Sequence, residues 1–362
     1  MQGVMPSPFD AVLVKGRGNY LSLRRLRLAM EKGRSLFDRE EEVRQLERVG
    51  AWAGTTRDGS RSDLDFQPLP VVWEEVRSDR DNCQGKKCPT YRECFYHAAR
   101  RRMEAAQVLI VNHAVYLTDL ALRREGTNFL PDHDVAIFDE AHTLEGVASD
   151  HLGETISIGQ VEDLLARVAK LPVPQDLRDL VEPTWGHALE FFDAVLEVRG
   201  REREGTCRYR APTGWTDRLA EALRRLGSKL LERSASEKDA DAKLDIEARG
   251  KRAVALAGTL ATWLGQERPE CVYWSEARRG KGQVPKVSLT YAPLHVGPSL
   301  RAELFAKVPT CILTSATLAV GTPPRFDHFA RRLGLDDART LAVGSPFDYR
   351  TQVALHLPRG LP

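Results

Sequence analysis

The tetrad Asp139-Glu140-Ala141-His142 follows directly on the apolar run Val135-Ala136-Ile137-Phe138, and this junction constrains the fold more than any other stretch of the chain. Four apolar residues are enough for a strand buried on both faces, and an abrupt change to charge marks where such a strand leaves its sheet. Three further runs have the same form. Ala11-Val12-Leu13-Val14 stops at Lys15-Gly16-Arg17-Gly18, Val108-Leu109-Ile110-Val111 at Asn112-His113, and Cys311-Ile312-Leu313-Thr314 at Ser315-Ala316-Thr317. Open α/β sheets bind ligands beyond the carboxyl ends of their strands, which is where all four polar segments fall. The expectation is one α/β domain whose strands are spread widely along the chain.

The spacing carries further information. About ninety residues separate the first two runs and about 170 the last two, far more than an ordinary crossover, so whole subdomains are expected as insertions. The first insertion, roughly 20–105, holds a cysteine cluster and many arginines, and the second, roughly 150–285, reads as mostly helical. There Leu219, Leu223, Leu226 and Leu230 recur at helical spacing, as do Val254, Ala257, Ala261 and Leu264. The highly charged segment Ser234 to Arg249 between them is expected to be solvated, which makes the pair an antiparallel helical protrusion. A length of 362 residues, 42% hydrophobic and 29% charged, suits two or three globular domains and excludes wholesale disorder. With 53 Lys plus Arg against 51 Asp plus Glu, any nucleic-acid surface must come from uneven placement of charge. No apolar run approaches the ~18–20 residues of a membrane helix, and Met1 to Asp10 lacks the pattern of a signal peptide, so the expected compartment is the cytoplasm.

In P-loop nucleoside triphosphatases, a strand-terminal aspartate holds the Mg²⁺ that bridges the nucleotide phosphates. The carboxylate after it is placed to orient or deprotonate the attacking water. Asp139 and Glu140 fit those two roles, against the competing reading of a solvated acidic strand end. Cys83, Cys88 and Cys94 lie within twelve residues, and soft thiolates suit an iron–sulfur cluster or Zn²⁺, both of which usually take four ligands. His97 would complete a Cys₃His set for Zn²⁺; three packed thiols without metal is the other alternative. Lys86, Lys87, Arg92, Arg100, Arg101 and Arg102 surround the cluster, with Arg24, Arg25 and Arg27 upstream. They are positioned to meet phosphates while Tyr91, Phe95 and Tyr96 stack on bases; a solvated basic helix with core aromatics competes. Trp185, Trp215, Trp263 and Trp274 read as packing residues, and Cys207, Cys271 and Cys311 as isolated thiols.

Lys15-Gly16-Arg17-Gly18-Asn19-Tyr20, the three cysteines, Val111-Asn112-His113, the DEAH tetrad, Ser315-Ala316-Thr317 and Ser345-Pro346-Phe347-Asp348-Tyr349 together resemble the DinG/XPD family of superfamily 2 iron–sulfur DNA helicases, closest to the bacterial DinG-like branch, over nearly the whole chain. The resemblance implies a RecA-like, P-loop-type motor domain carrying an iron–sulfur insertion and a helical arch. It implies Mg²⁺ on Asp139, water activation by Glu140, and coupling of the ATP site to the DNA-bound state through His142, Ser315 and Thr317. It implies a 4Fe–4S cluster on Cys83, Cys88 and Cys94. The family's fourth, upstream cysteine is here Ser22, whose oxygen is a harder and poorer ligand than a thiolate, so Ser22 and His97 stand as alternatives for the fourth position. The basic residues Arg24, Arg25, Lys86, Lys87, Arg100, Arg101 and Arg102 are the implied DNA contacts.

By the same resemblance, residues 1–22 begin the first motor domain, 23–106 form the iron–sulfur subdomain, and 107–150 carry the DEAH box. Residues 151–285 form the arch, 286–340 carry the Ser-Ala-Thr motif, and 341–362 start a second motor domain. The implied activity is ATP-dependent 5′ to 3′ movement on single-stranded DNA and unwinding of forks in repair or replication. A phosphate cradle needs Gly-x-x-x-x-Gly-Lys followed by Ser or Thr. Neither Gly85-Lys86-Lys87 nor Gly280-Lys281-Gly282 supplies it, so the expectation is the central part of a helicase, hydrolysing Mg-ATP only when the P-loop is supplied, in cis or by a second chain. The alternative is a motor-less, metal-stabilised module that binds single-stranded DNA.

Overall fold

All four apolar runs fold as strands, and among the described residues four further strands form a sheet of their own. The computed structural model describes residues 7–80, 82–124, 126–198, 204–278, 286–335, 337–354 and 356; Gly280-Lys281-Gly282 lies outside these. The strands are β1 (Ala11–Leu13), β2 (Val108–Ile110), β3 (Val135–Phe138), β4 (Glu154–Ser157), β5 (Gly205–Tyr209), β6 (Cys271–Arg278), β7 (Lys286–Pro293) and β8 (Thr310–Leu313). β1 pairs with β2 and β3 with β8, both parallel. Among the described residues these are two separate two-stranded sheets, where one continuous sheet was expected. The chain divides into two compact units, one of residues 1–132 and 147–294, the other of 133–146 and 295–362.

The strands are also less buried than expected. In β3, Ala136 and Phe138 are covered, whereas Val135 and Ile137 are 52% and 66% exposed. Successive side chains of a strand point to opposite faces, and here protein covers only one of them. Leu13, Ile110 and Ile312 are open in the same way.

In the first unit the cysteine-rich insertion has its own apolar core. Helices α1 (Leu23–Lys32), α2 (Glu40–Ala53) and α3 (Pro70–Val76) enclose Leu26, Leu46, Val49, Val72 and Trp73. α4 (Phe95–Ala105) starts immediately after Cys94, and α5 (His113–Arg124) starts after Asn112, whose Oδ1 accepts the Val115 N–H at 2.8 Å. Gly59 has φ +60°, and a Cβ there would lie 2.1 Å from Cγ of Phe95, so only glycine fits this crossing.

The second insertion contains α6 (Leu144–Leu152), α7 (Ile158–Ala169), α8 (Gln175–Arg178), α9 (Val181–Val198), α10 (Arg218–Ser236) and α11 (Ala240–Gly265). It is mostly helical, as expected, but a four-stranded antiparallel sheet in the order β4-β7-β6-β5 also lies within it. β7 belongs to this sheet, which therefore runs through Pro293. Leu219, Leu223, Leu226 and Leu230 are fully buried as expected; on α11 Ala257 of the expected set is buried, together with Ile246, Ala253, Leu256, Leu260 and Trp263, while Val254 is 38% exposed. The Trp263 indole N–H donates to the carbonyls of Thr290 at 3.1 Å and Trp274 at 3.3 Å, and its ring stacks on Trp215. These contacts fasten α11 to the sheet, and α10 packs along α11, so the pair is not a free protrusion. Nor is Ser234 to Arg249 simply solvated, because α11 begins at Ala240 and its first turns engage the cysteine segment. No helix among the described residues is long and apolar enough to cross a membrane.

Candidate functional site

The parallel register of β3 and β8, Val135 opposite Thr310 through Phe138 opposite Leu313, brings the acidic tetrad and the Ser-Ala-Thr motif to the same carboxyl end. The backbone continues the pairing past the strands: the Thr314 N–H donates to Phe138 O at 2.9 Å and the Ala141 N–H to Thr314 O at 3.0 Å. Glu140 sits between them at φ +50°, ψ +43°, a left-handed conformation that is uncommon for a residue with a side chain and is frequent at functional sites.

This turn gathers three polar side chains. The Ser315 hydroxyl donates to Glu140 Oε2 at 3.2 Å, and Ser315 Oγ lies 2.8 Å from His142 Nδ1 and 3.3 Å from the Thr317 amide nitrogen. A hydroxyl has one proton and two lone pairs. With its proton on Glu140, Ser315 accepts from Thr317 N–H and from His142, which assigns the imidazole proton to Nδ1. His142 Nδ1 is also 3.3 Å from Glu140 Oε2, so protonation of the ring would add an ion pair to the same carboxylate. Asp139 is exposed, and its Oδ1 accepts the Glu140 N–H at 3.0 Å. Mg²⁺ bound to nucleotide phosphates commonly takes one or two protein carboxylates and keeps water in its remaining positions. An exposed strand-end aspartate is a suitable donor, so the chemistry of Asp139 fits that ion.

The cysteine segment fits its expected group less well. Cys83 Sγ accepts the Gly85 N–H at 3.4 Å, Cys88 Sγ is 3.3 Å from Thr90 Oγ1, and Cys94 is the N-cap residue of α4. Burial pushes the Cys94 thiol up, the amides of His97 and Tyr96 oppose this, and Cys83 and Cys88 add to it. Cys83 and Cys88 therefore lie within electrostatic reach of Cys94. Yet among the described residues no three of His, Cys, Asp or Glu are gathered closely enough to hold a metal. Ser22 is occupied locally, capping α1 by accepting the Arg25 N–H at 3.4 Å. His97 Nε2 is buried without a hydrogen-bond partner, and its ring lies against Tyr91 and Tyr96. Burial, then Arg17, Arg101 and Arg100, hold its pKa below the usual histidine value. The donor types suit a soft metal, but their arrangement does not form a closed site.

The basic residues separate into two groups. Lys86, Lys87, Arg92 and Arg101 are exposed. Arg102 pairs with Asp58, and Arg100 donates to the Phe129 carbonyl and lies over the Phe129 ring. Arg24 and Arg25 are buried, contrary to the expected role on DNA. Arg25 donates to the carbonyls of Arg77 and Glu74, each at 2.8 Å, and Arg24 binds Asn82 and Asp241. Their guanidinium donors are used inside the fold. Tyr96 is likewise buried beneath Arg17, 4.1 Å from ring centroid to guanidinium, and Phe95 packs on the core, so neither is open to stack on a base. Lys15 braces the same region, its Nζ 2.8 Å from Ser60 Oγ and 2.6 Å from Ser62 Oγ. Asp241, the acidic partner of Arg24, and Asp245, which accepts from Asn82, were missed in the sequence; their signal there is an acidic i, i+4 pair in the first turns of a helix.

Residues 82–161 match the family described as DEAD_2. The chain is 30% identical to the ATP-dependent DNA helicase YoaA of Escherichia coli K12, over 98% of this chain and 54% of that protein. It is 25% identical to the ATP-dependent DNA helicase DinG of Photobacterium profundum, over 98% of this chain and 57% of that protein. It is also 25% identical to a protein named 3'-5' exonuclease DinG of Bacillus subtilis, over 99% of this chain and 42% of that protein. The chain thus spans about half the length of the curated relatives it matches.

Proposed function

Because the chain belongs to the DinG-like family, we propose that it supplies the metal-and-water half of an ATP site and a DNA-gripping surface to an ATP-dependent DNA helicase working in the cytoplasm. The observation that carries this reading is the Ser315 hydroxyl bridging Glu140 and His142. It joins the two motifs through which a motor would sense hydrolysis. In this reading Asp139 holds Mg²⁺, which neutralises phosphate charge when bound, and a Glu140 carboxylate oxygen receives the proton of the attacking water. Ser315 and His142 orient that carboxylate. The fuller reading is 5′ to 3′ translocation on single-stranded DNA and opening of forks in repair or replication, with the P-loop supplied in cis or by a second chain.

The test is DNA-stimulated ATP hydrolysis, measured on the chain alone and on a polypeptide that also carries the P-loop. Hydrolysis should require the P-loop and fall by about 10²–10⁴ in Glu140→Gln, the usual range for losing a general base. Undiminished turnover in that variant would remove Glu140 from the chemistry. Single-strand binding without hydrolysis in either polypeptide would favour the motor-less module. The cysteine segment is a separate proposal, read by iron, sulfide and zinc analysis after anaerobic purification. About four irons per chain would indicate a 4Fe–4S cluster, and one zinc would indicate a Cys₃His site. His97→Ala and Ser22→Ala then identify the fourth ligand.

A further inference from the structure

Asn82 and Gln84 flank Cys83, and both side chains reach the first two turns of α11. Gln84 Nε2 donates to Asp241 Oδ1 at 2.7 Å, and Asn82 Nδ2 donates to Asp245 Oδ1. Arg24, projecting from α1, joins the same group: its guanidinium donates to the Asn82 carbonyl at 2.8 Å, to Asn82 Oδ1 and to Asp241 Oδ1. The Arg24 side chain is only 3% exposed. A guanidinium persists at that depth only when acceptors match its N–H groups and a counter-charge is present. Asp241 supplies the counter-charge, and it comes from the second insertion, more than 200 residues away in sequence.

Beyond this group, the turn after Cys83 is held by short-range bonds. The Lys87 N–H donates to Gln84 O and the Cys88 N–H to Gly85 O, each at 3.1 Å. The turn Gly85–Lys87 exposes Lys86 and Lys87. No metal-ligand spacing among the described thiols supplies an alternative anchor. We propose that Arg24, Asp241 and Asp245 form a polar clamp that fixes the Cys83–Lys87 turn to helix α11, and that this clamp, independently of any metal, sets where Lys86 and Lys87 meet a phosphate backbone. The second half rests on the proposed DNA contact. Arg24, Asp241 and Asp245 are positioning residues: they make no contact with DNA and act by holding the turn that does.

The experiment is the alkylation rate of each cysteine in the full chain, read by mass spectrometry with and without a chelator, together with the salt dependence of binding to a single-stranded oligonucleotide. In Asp241→Ala, Cys83 should react about tenfold faster, as expected for local opening of a turn that has lost its anchor, while Cys207 keeps its rate. The charge exchange Arg24→Asp with Asp241→Arg should restore much of the protection. Oligonucleotide binding should weaken in Asp241→Ala and lose part of its salt dependence. If Asp241→Ala does not fold, as judged by circular dichroism, Gln84→Ala removes one strand of the clamp without unpairing Arg24 and should give the same effect in smaller measure. An unchanged Cys83 rate in the variants overturns the clamp. So does a chelator that alone releases Cys83 as fully as the substitution, since metal would then be the anchor. A loosened Cys83 with unchanged oligonucleotide binding leaves the clamp standing and overturns the reading of Lys86 and Lys87 as DNA contacts.

Discussion

Ser22 shows how one atom can decide between two uses of a position. As a serine it caps α1 and satisfies the Arg25 amide; as a ligand it would have to turn away and leave that donor unpaired. Ser22→Ala should therefore cost about 0.5–2 kcal/mol in denaturant unfolding, the range for losing an N-cap. A variant of wild-type stability would show that the cap contributes nothing. Buried phenols give a second test. Burial pushes Tyr20, Tyr273 and Tyr291 up, and Tyr291 is raised further by Glu154. Since the neutral form is favoured in the fold, their contribution to stability is full below about pH 10, the ordinary phenol value, and is lost as pH rises from there through the raised values. Ultraviolet titration should show these three of the eight tyrosines ionising late and together with loss of circular dichroism. A single ordinary phenol transition in a still-folded chain would contradict this. The acidic tetrad was readable from four residues because its chemistry is local. The fate of Arg24 was not, because its counter-charge comes from another insertion.

The long helices α10 and α11 pack closely at Gly227 and Gly250: a Cβ on Gly227 would lie 2.9 Å from Gly250 O and 2.7 Å from Val254 Cγ2. Gly227→Val should force the pair apart, with broadened thermal unfolding of the insertion as the readout. Leu226→Ala, which truncates a fully buried side chain of the core cluster that α10 shares with α11, should cost about 2–5 kcal/mol. A loss well under 1 kcal/mol would mean the core there relaxes to fill the space. Periodicity located α10 because its leucines are the large apolar residues among charges. It found the face of α11 only in part, through Ala257, because alanines lie on several sides and the large residues Ile246, Leu256, Leu260 and Trp263 mark the buried one. It missed the antiparallel strands for a different reason. β6 buries Ser275 between Tyr273 and Ala277, and the serine is tolerated because the Tyr209 hydroxyl lies 3.0 Å away on the neighbouring strand. A polar residue on the inward face breaks the alternation on which strand recognition depends.

Across the whole molecule, both parallel pairs leave one apolar face uncovered, with Leu13, Ile110, Val135, Ile137 and Ile312 each roughly half exposed or more. Such faces favour association. Light scattering should therefore show concentration-dependent self-association that sulfate strengthens, because excluded salts favour apolar burial. A monodisperse monomer at all concentrations and salts would refute it. Local pattern in the sequence located the parallel strands, placed Asp139, Glu140, His142 and Ser315 at strand ends, and showed that long stretches of chain separate those strands. These features follow from short-range pattern: the length of an apolar run, the residue that ends it, the spacing along a helix. Which charges are used internally and which face solvent emerged only in the folded chain. Arg24 and Arg25 are folded inward while Lys86 and Lys87 are left out, and Asp241 becomes an anchor for the cysteine turn. The reason is that burial and pairing depend on what packs against a residue from elsewhere in the chain, and a one-dimensional period identifies a face without identifying what covers it.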